Sequence, residues 1–305
     1  MKTEPRLHRS SPRSSGYRVT TEIRLATRRS ALALYQARRV ADWLRTVHED
    51  VAVELVEVDS SGDLDRISPV AQLTQMGAFV RSVQAAVLDG RADAAVHSLK
   101  DLPTAQADGL VLAAFPERAT PWDALVGTTL DDLAEGSVVG TGSPRRLAQL
   151  RVVRPDLETR ELRGNVDTRL RKVADGEVDA AVLAVAGLIR LDYEEAIAEI
   201  LPLDVMVPAP GQGVLAVETL IDGPIRALVE AISNPDLTPL VEAERTLLSE
   251  TGAGCRSALG ALAGWDGTLI RMDAFVEDER GARRTRVVGA HPEDVVAAAR
   301  KELGL

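Results

Sequence analysis

The chain has one cysteine, Cys255. That excludes an internal disulfide and any metal site built from several thiolates. Aromatic residues make up only 3% of the sequence, too few for the stacking platforms that hold single-stranded nucleic acid. Long apolar runs are missing as well: the longest, 180–189, is about half of what a membrane-spanning helix needs. A surplus of positive charge is also absent, since 36 Lys plus Arg stand against 46 Asp plus Glu, a formal charge of −10. Non-specific binding to nucleic acid or to an anionic membrane is therefore disfavoured. Neither a P-loop nor a GxGxxG fingerprint occurs, and Gly211-Gln212-Gly213 alone is too short to count as a nucleotide motif. The four histidines, His8, His48, His97 and His291, show no metal-ligand spacing, so no metal is expected. None of them carries a motif that would make it the base for a cysteine nucleophile.

What remains is an ordinary globular balance. The chain has 305 residues, 45% of them apolar and 27% charged, enough for two or three domains. Residues 1–22 are rich in Arg and Ser and lack the apolar core of a secretory signal; Glu4 and Glu22 count against a transit peptide. A disordered tail, a cytoplasmic protein and a reduced Cys255 are expected.

Strand-like and helix-like periods alternate. Residues 23–26 read as a strand, 30–45 as an amphipathic helix, 51–58 as a strand, 59–75 as a polar loop, 79–88 as a helix and 93–97 as a buried strand. This alternation predicts βαβ units and a mostly parallel sheet. A second stretch repeats the first. DGRADAAV at 89–96 is echoed by DGEVDAAV at 175–182, and LATRRS at 25–30 by VGTGSPRR at 139–146. Two echoes in the same order predict a duplication, with similar α/β domains near 23–116 and 122–207. The segment 208–213, PAPGQG, looks like a crossover, and 214–232 is expected to return to the first domain. From 236 the texture changes to a helix (238–250), three strand-like runs (258–263, 268–276, 284–289) and a last helix (292–302). This predicts a small α+β third domain over 236–305.

One island of the acidic chain is basic. Arg145, Arg146, Arg151, Arg154, Arg160, Arg163, Arg169, Arg171 and Lys172 fall within 28 residues that hold four acids. For Arg151, Arg154, Arg160 and Arg171 a solvated helix face is the simpler reading. Arg145 and Arg146 follow Ser143-Pro144, an N-cap followed by a first-turn proline, so their guanidinia are expected beside free helix N–H groups. Arg163 and Arg169 bracket the turn at Gly164-Asn165, and Arg28 occupies the equivalent turn of the first repeat. Guanidinium forks at several βα turns point to a polyanionic ligand between the two domains. Lys100 and Asp101 in HSLKDLP sit where a buried strand ends. They are either a surface ion pair or a cleft carboxylate beside a cation, able to stabilise developing positive charge or relay a proton. Cys255, between Gly254 and Arg256, is either a structural thiol or one activated by its flexible basic loop.

The segments ATRRS (26–30), AVHSLKDLP (95–103), VGTGSPRR (139–146), LRGNVDTRL (162–170), LAVAGLIRL (183–191), PAPGQG (208–213) and AGC (253–255) occur in the order seen in porphobilinogen deaminases, also called hydroxymethylbilane synthases. From about residue 22 onward the chain resembles this family. The resemblance implies two domains like those of type II periplasmic binding proteins and a third bearing a cysteine loop. It implies a dipyrromethane cofactor joined to Cys255 by a thioether. The implied reaction joins four porphobilinogen molecules head to tail with loss of ammonia, and releases hydroxymethylbilane for tetrapyrrole synthesis. Asp101, Lys100 and Arg28 match catalytic positions. Lys100, Asp101, Ser98, Thr141, Ser143, Arg145 and Arg146 match cofactor-binding positions. Arg28, Ser30, Phe79, Arg163, Arg169, Arg190 and Gln212 match substrate-binding positions, Gln212 as a hydrogen-bond donor to carboxylates. Hand-off of the product to uroporphyrinogen-III synthase and a monomeric state are further expectations. The chain departs from the family at Arg256-Ser257-Ala258, where a small or polar residue, then Val or Ala, then Pro is usual, and at Met76, where Lys is common. A second reading is a polyanion-binding module, or an inactive paralogue, on the same cleft. Cys255 separates the two, because a simple binder has no use for that thiol.

Overall fold

Strand β1 (Thr21–Arg28) runs parallel to β2 (Val51–Val58) on one side and to β3 (Ala94–Ser98) on the other. Both connections carry helices, α1 (Ala31–Val47) and α2 (Ala71–Leu88). The computed structural model of the protein describes residues 21–59, 71–251 and 258–305, with the backbone alone at 71–78. Ser30 caps α1 by accepting from the Ala33 amide at 3.3 Å. Gln36, Ala37, Val40, Ala41 and Leu44 recur at helical spacing and form its buried stripe. β10 (Leu215–Leu220) and β4 (Leu110–Ala114) complete this sheet in the order β2-β1-β3-β10-β4, with β10 antiparallel to both neighbours.

The second sheet has the same design. β5 (Asp123–Val126), β6 (Val138–Gly140), β7 (Glu158–Arg160), β8 (Ala180–Ala184) and β9 (Ile197–Ile200) stand in the order β7-β6-β8-β5-β9. β6 is parallel to β7 and β8, and β5 is the antiparallel fourth strand. Each antiparallel strand has a register shift against its edge neighbour, at Val217/Glu218 and at Leu125/Val126. α3 (Pro144–Val153), α4 (Val166–Ala174) and the short α5 (Val185–Ile189) pack around it.

The two echoes therefore fall on two sheets of matching strand order, and the aspartate they share has the same local task in each. In the first copy Asp93 accepts from the Arg24 amide at 2.7 Å and donates its own amide to the Arg24 carbonyl at 2.8 Å. In the second copy Asp179 does the same with Val138, at 2.7 and 2.9 Å. The aspartate shared by the two DGxxDAAV segments thus pins the start of the strand after each crossover. Each half is thus an α/β unit with a single antiparallel strand, in line with the α/β class expected from the sequence.

Two crossovers, near 115–122 and 207–214, join the halves and run antiparallel through an Arg118–Val214 bridge. Gly213 has φ +84°, and a Cβ there would lie 2.3 Å from the Ala119 carbonyl oxygen, so only glycine fits. The third sheet is a meander of β11 (Ala258–Asp266), β12 (Leu269–Asp278) and β13 (Gly281–Gly289). After the short α6 (Arg226–Glu230), α7 (Thr238–Glu250) and α8 (Pro292–Leu303) cover it, burying Leu247, Met272, Val287, Val295 and Leu303 among others.

Two boundaries differ from expectation. β1 already begins at Thr21, inside the stretch read as a tail. α2 begins at Ala71, inside the stretch read as a loop. The residues from Gln72 to Met76 favour helix, and the single Gly77 costs only about 1 kcal/mol.

Candidate functional site

β3 ends at Ser98 and passes into a single 3-10 turn, Leu99–Asp101. The Leu102 amide closes this turn onto the Leu99 carbonyl at 3.0 Å, and Leu99 is the buried anchor. Lys100 and Asp101 are left half-buried at the strand's carboxyl end. Arg245 of α7 holds the following loop, donating to the Pro103 carbonyl at 2.8 Å. Ser98 Oγ accepts from Gln36 at 2.7 Å and keeps its own hydrogen to donate.

Behind this turn lies a buried carboxylate that sequence reasoning did not find. Asp123 opens β5 with 0% exposure. Its Oδ1 accepts from Arg146 Nε at 3.1 Å, Arg146 Nη2 at 2.6 Å and Gln212 Nε2 at 3.1 Å. Its Oδ2 lies 2.8 Å from Arg145 Nη1. Burial pushes the Asp123 carboxyl up, but the two guanidinia overcome this and hold it well below the usual carboxylate range. Gln212 completes the link to the turn, because its Oε1 accepts from Lys100 Nζ at 3.3 Å. The second N–H of Gln212 goes to the Pro121 carbonyl at 2.6 Å. Both of its donors are thus occupied within the protein, and Gln212 acts as a connector.

Arg145 and Arg146 depart from the expected geometry in one respect. Ser143 does cap α3, accepting from the Arg146 amide at 3.5 Å, with Pro144 in the first turn. The guanidinia, however, turn back from the helix end onto Asp123. Arg146 Nη1 also reaches the Val182 carbonyl at 2.8 Å, and Arg145 Nη1 the Val207 carbonyl at 2.7 Å. Thr141, buried beside them, accepts from the Ser143 amide at 3.2 Å. Arg154 is no solvated face either: it donates to the Leu130 and Leu133 carbonyls and pairs with Asp156.

The remaining predicted residues divide in two. Arg28 stands at the end of β1 with its guanidinium 3.9 Å from the Phe79 ring centroid, and its buried Nε has no partner among the described residues. Arg169 donates to the Gly164 carbonyl at 2.8 Å; burial and the nearby Arg146 push it down to about 10, with Asp101 opposing. It therefore joins the cluster from the second half of the molecule. Gly164, with φ +112°, admits no Cβ because Thr168 would lie 2.7 Å from it. Arg163 is more exposed and pairs with Glu161 at 3.0 Å. Ser30 serves as the helix cap already described. Arg190 faces the crossover: it is 7% exposed and donates to the Gly213 carbonyl at 2.8 Å. Burial lowers its pKa, with Glu117 and Tyr35 opposing. Cys255 and the Arg256-Ser257 part of the departure after it lie outside the described residues, and so does the side chain of Met76.

Two further buried polar groups brace the site. Glu244 of α7 accepts from Arg118 at 2.7 and 2.9 Å, from the Gly211 amide at 2.7 Å and from the Ala263 amide at 2.7 Å. Glu218 of β10 lies 3.0 Å from His97 Nε2 and accepts from Gln84 at 2.9 Å, tying β3 to α2. The signal for all three acids was the same: a carboxylate inside a largely apolar segment is tolerated only when paired.

Lys100, Arg145, Arg146 and Arg169 thus gather around Asp101 and Asp123, with Arg28 at the same sheet end. Such a cluster, placed between two α/β halves at strand ends, defines a cleft protein for a multiply charged anion. Its family is shown by comparison. The family model described as "Porphobilinogen deaminase, dipyromethane cofactor binding domain" matches residues 23–224. The porphobilinogen deaminase of Acidothermus cellulolyticus is 45% identical over 272 residues, covering 87% of this chain and 82% of that one. That of Thermobifida fusca is 46% identical over 285 residues, covering 92% and 85%. The chain belongs to the porphobilinogen deaminase family. The methionine-binding protein MetQ has a TM-score of 0.45 at 13% identity, covering 81% of this chain and 99% of that one, and is too distant to carry an argument. A dipyrromethane bearing an acetate and a propionate on each ring fits the cluster, because the cations outnumber the acids and the buried Arg28 Nε lacks an acceptor among the described residues.

Proposed function

We propose that the protein condenses four porphobilinogen molecules head to tail, releases ammonia at each addition, and frees hydroxymethylbilane by hydrolysis. The observation that carries this reading is the excess of cation: Lys100, Arg145, Arg146 and Arg169 against Asp101 and Asp123, with Arg145, Arg146 and Asp123 buried. Each substrate unit brings two carboxylates, so a growing chain needs such a surplus in a protein that is acidic overall.

Cys255 would hold the dipyrromethane covalently, with Ser98, Lys100, Thr141, Ser143, Arg145 and Arg146 around its carboxylates. When bound, the group supplies the free pyrrole α-carbon that is extended. Arg28, Arg163 and Arg169 bind the substrate's acetate and propionate. Phe79 keeps the Arg28 fork flat, and Ser30 orders the turn behind it. Arg190 and Gln212 act from behind, by fixing the crossover and Lys100. Loss of ammonia and ring coupling place positive charge on a pyrrole nitrogen. The Asp101 carboxylate stabilises that charge and accepts the N–H at its oxygen.

Residues 23–116 with 214–232, 122–207 and 236–305 are taken to move as three bodies around the cleft. A monomer, a cytoplasmic location and transfer of product to uroporphyrinogen-III synthase belong to the same proposal. No helix among the described residues is long and apolar enough to cross a membrane.

The test is the intact mass of protein made in a host with tetrapyrrole synthesis. A gain of two porphobilinogen units less two ammonias, lost in Cys255→Ser, is expected. Asp101→Asn should keep that mass yet release ammonia from porphobilinogen far more slowly. An unmodified mass after incubation with porphobilinogen would leave a binder or an inactive paralogue.

A further inference from the structure

The cluster contains a single amine among guanidinia. The sequence has only four lysines, Lys2, Lys100, Lys172 and Lys301, and among the described residues Lys100 is the one placed beside Arg145 and Arg146. A guanidinium stays charged through neutral and mildly alkaline pH, whereas an ammonium gives up its proton sooner when burial and neighbouring cations disfavour the charge. The contacts of Lys100 favour that loss. Its Nζ has a neutral acceptor, the Gln212 amide oxygen at 3.3 Å. The buried carboxylate beyond, Asp123, already serves Arg145, Arg146 and Gln212.

We propose that Lys100 is a titrating cation, which takes up a proton as ligand carboxylates enter the cleft and so makes ligand binding proton-linked in the alkaline range. This rests on the reading of the cleft as a carboxylate site. The groups that face Lys100 are Asp101 from its own turn, Arg145 and Arg146 from α3, Asp123 from β5 and Gln212 from the second crossover. Burial pushes the ammonium down to about 8; Asp101 and Asp123 oppose it, and Arg146 and Arg145 reinforce it. A ligand carboxylate at Nζ restores the ordinary value near 10.4. The proton comes from solvent and goes to the Nζ lone pair. Uptake on binding is then about half a proton at pH 8 and about 0.9 at pH 9, and affinity weakens about tenfold between pH 7 and pH 9.

Lysine labelled with carbon-13 at Cε reads this directly, because only four side chains contribute. Lys2→Arg, Lys172→Arg and Lys301→Arg assign Lys100 by subtraction without touching it. In cofactor-free protein its signal should titrate near pH 8, and loading with porphobilinogen should move it up by more than one unit. A midpoint near 10.4 before loading overturns the inference. A midpoint near 8 that neither porphobilinogen nor citrate moves overturns it as well. A midpoint near 8 raised by citrate but not by porphobilinogen supports the proton linkage and instead sinks the substrate reading. In Lys100→Arg, binding calorimetry in two buffers of different ionisation enthalpy should find no proton uptake.

Discussion

Asp123→Asn separates the two roles of the buried carboxylate, structural and electrostatic. The substitution keeps the shape of the side chain and removes one charge. It leaves Arg145 and Arg146 facing a neutral amide, in a place with no solvent exposure. It also turns one acceptor into an NH2 group among the four N–H groups contributed by Arg145 Nη1, Arg146 Nε, Arg146 Nη2 and Gln212 Nε2. Breaking one buried pair costs about 3–5 kcal/mol because the surviving charge stays buried. Two guanidinia share this carboxylate, so the upper part of that range, about 4–5 kcal/mol, is expected in cofactor-free protein. With a urea m-value of about 2–3 kcal/mol/M this is a midpoint shift of roughly 1.5–2.5 M. In cofactor-loaded protein the ligand's carboxylates take over part of the task, and the loss should fall to about half. Acidity gives an independent reading. Asp123 is held below its unfolded value, so its contribution is complete above about pH 4 and is lost as pH falls through the lower folded value. The difference between wild type and variant therefore shrinks in acid. Urea unfolding followed by far-ultraviolet circular dichroism, on both forms and at two pH values, measures all of this. A loss under about 1 kcal/mol in cofactor-free protein would mean that Asp123 does not neutralise the arginines. An equal loss in both forms would mean that the ligand's carboxylates never reach them.

Glu244→Gln should cost about 3–5 kcal/mol in the same assay, since Arg118 and two backbone amides lose an ionised acceptor. Glu230→Gln, in an exposed pair with Arg226, serves as the control and should change stability by less than about 0.5 kcal/mol. In Phe79→Leu the flat surface under Arg28 is gone; KM for porphobilinogen should rise about three- to tenfold, with kcat changed less, while Phe79→Tyr stays near wild type. Equal KM values for the Leu and Tyr variants would remove the stacking from its assigned role. Burial pushes the Asp93 carboxyl up, yet its hydrogen bonds with Arg24 bring it below its ordinary value. Arg24→Gln should then be less stable than wild type at neutral pH, with the gap closing as pH falls below about 4. A gap that stays constant down to pH 2 would contradict that linkage.

The duplicated fold was legible because local sequence performs the same local task twice. Asp93 and Asp179 each pin a strand start, and that need fixes an aspartate ahead of AAV in both copies. α7 and the last helix were readable for a similar reason, with Pro239 and Pro292 early in their first turns. The site was legible only in part. Sequence spacing located the backbone of Arg145 and Arg146 at a helix start, and the start is there. It could not say where two long side chains go, because the carboxylate they choose lies 22 and 23 residues earlier in the chain and on another strand. Asp123 was missed for the mirror-image reason: its partners are distant in sequence, so the acid before Ala124-Leu125-Val126 had no visible cause. Arg190 and Gln212 were expected to bind substrate, yet their direction is set by the crossover backbone, which only the folded chain brings beside them.

These buried groups form one polar chain. From the Ala263 amide in β11 it passes through Glu244 to Arg118, whose Nε donates to the Gln212 carbonyl at 3.2 Å. The Gln212 side chain then branches to Lys100 and to Asp123. α7, which supplies Glu244 and Arg245, ends at Glu250, five residues before Cys255 in the sequence. The helix that leads to the cysteine is therefore the same one that grips the crossover and the loop after Asp101. The links of this chain are unequal. Arg118–Glu244 is a bidentate ion pair with Glu244 wholly buried, whereas Lys100–Gln212 and Gln212–Asp123 each set a neutral amide against a charged side chain. Hydrogen bonds of the second kind contribute about 1.5–3 kcal/mol, less than the cost of parting a buried ion pair. A shift of one half against the other would strain the Gln212 bonds before it reached Glu244. The third sheet is tied to the second half as well, where Arg284 donates to the Leu203 and Val205 carbonyls and Phe275 packs with Ala148 and Val207, so parting Gln212 alone frees neither half.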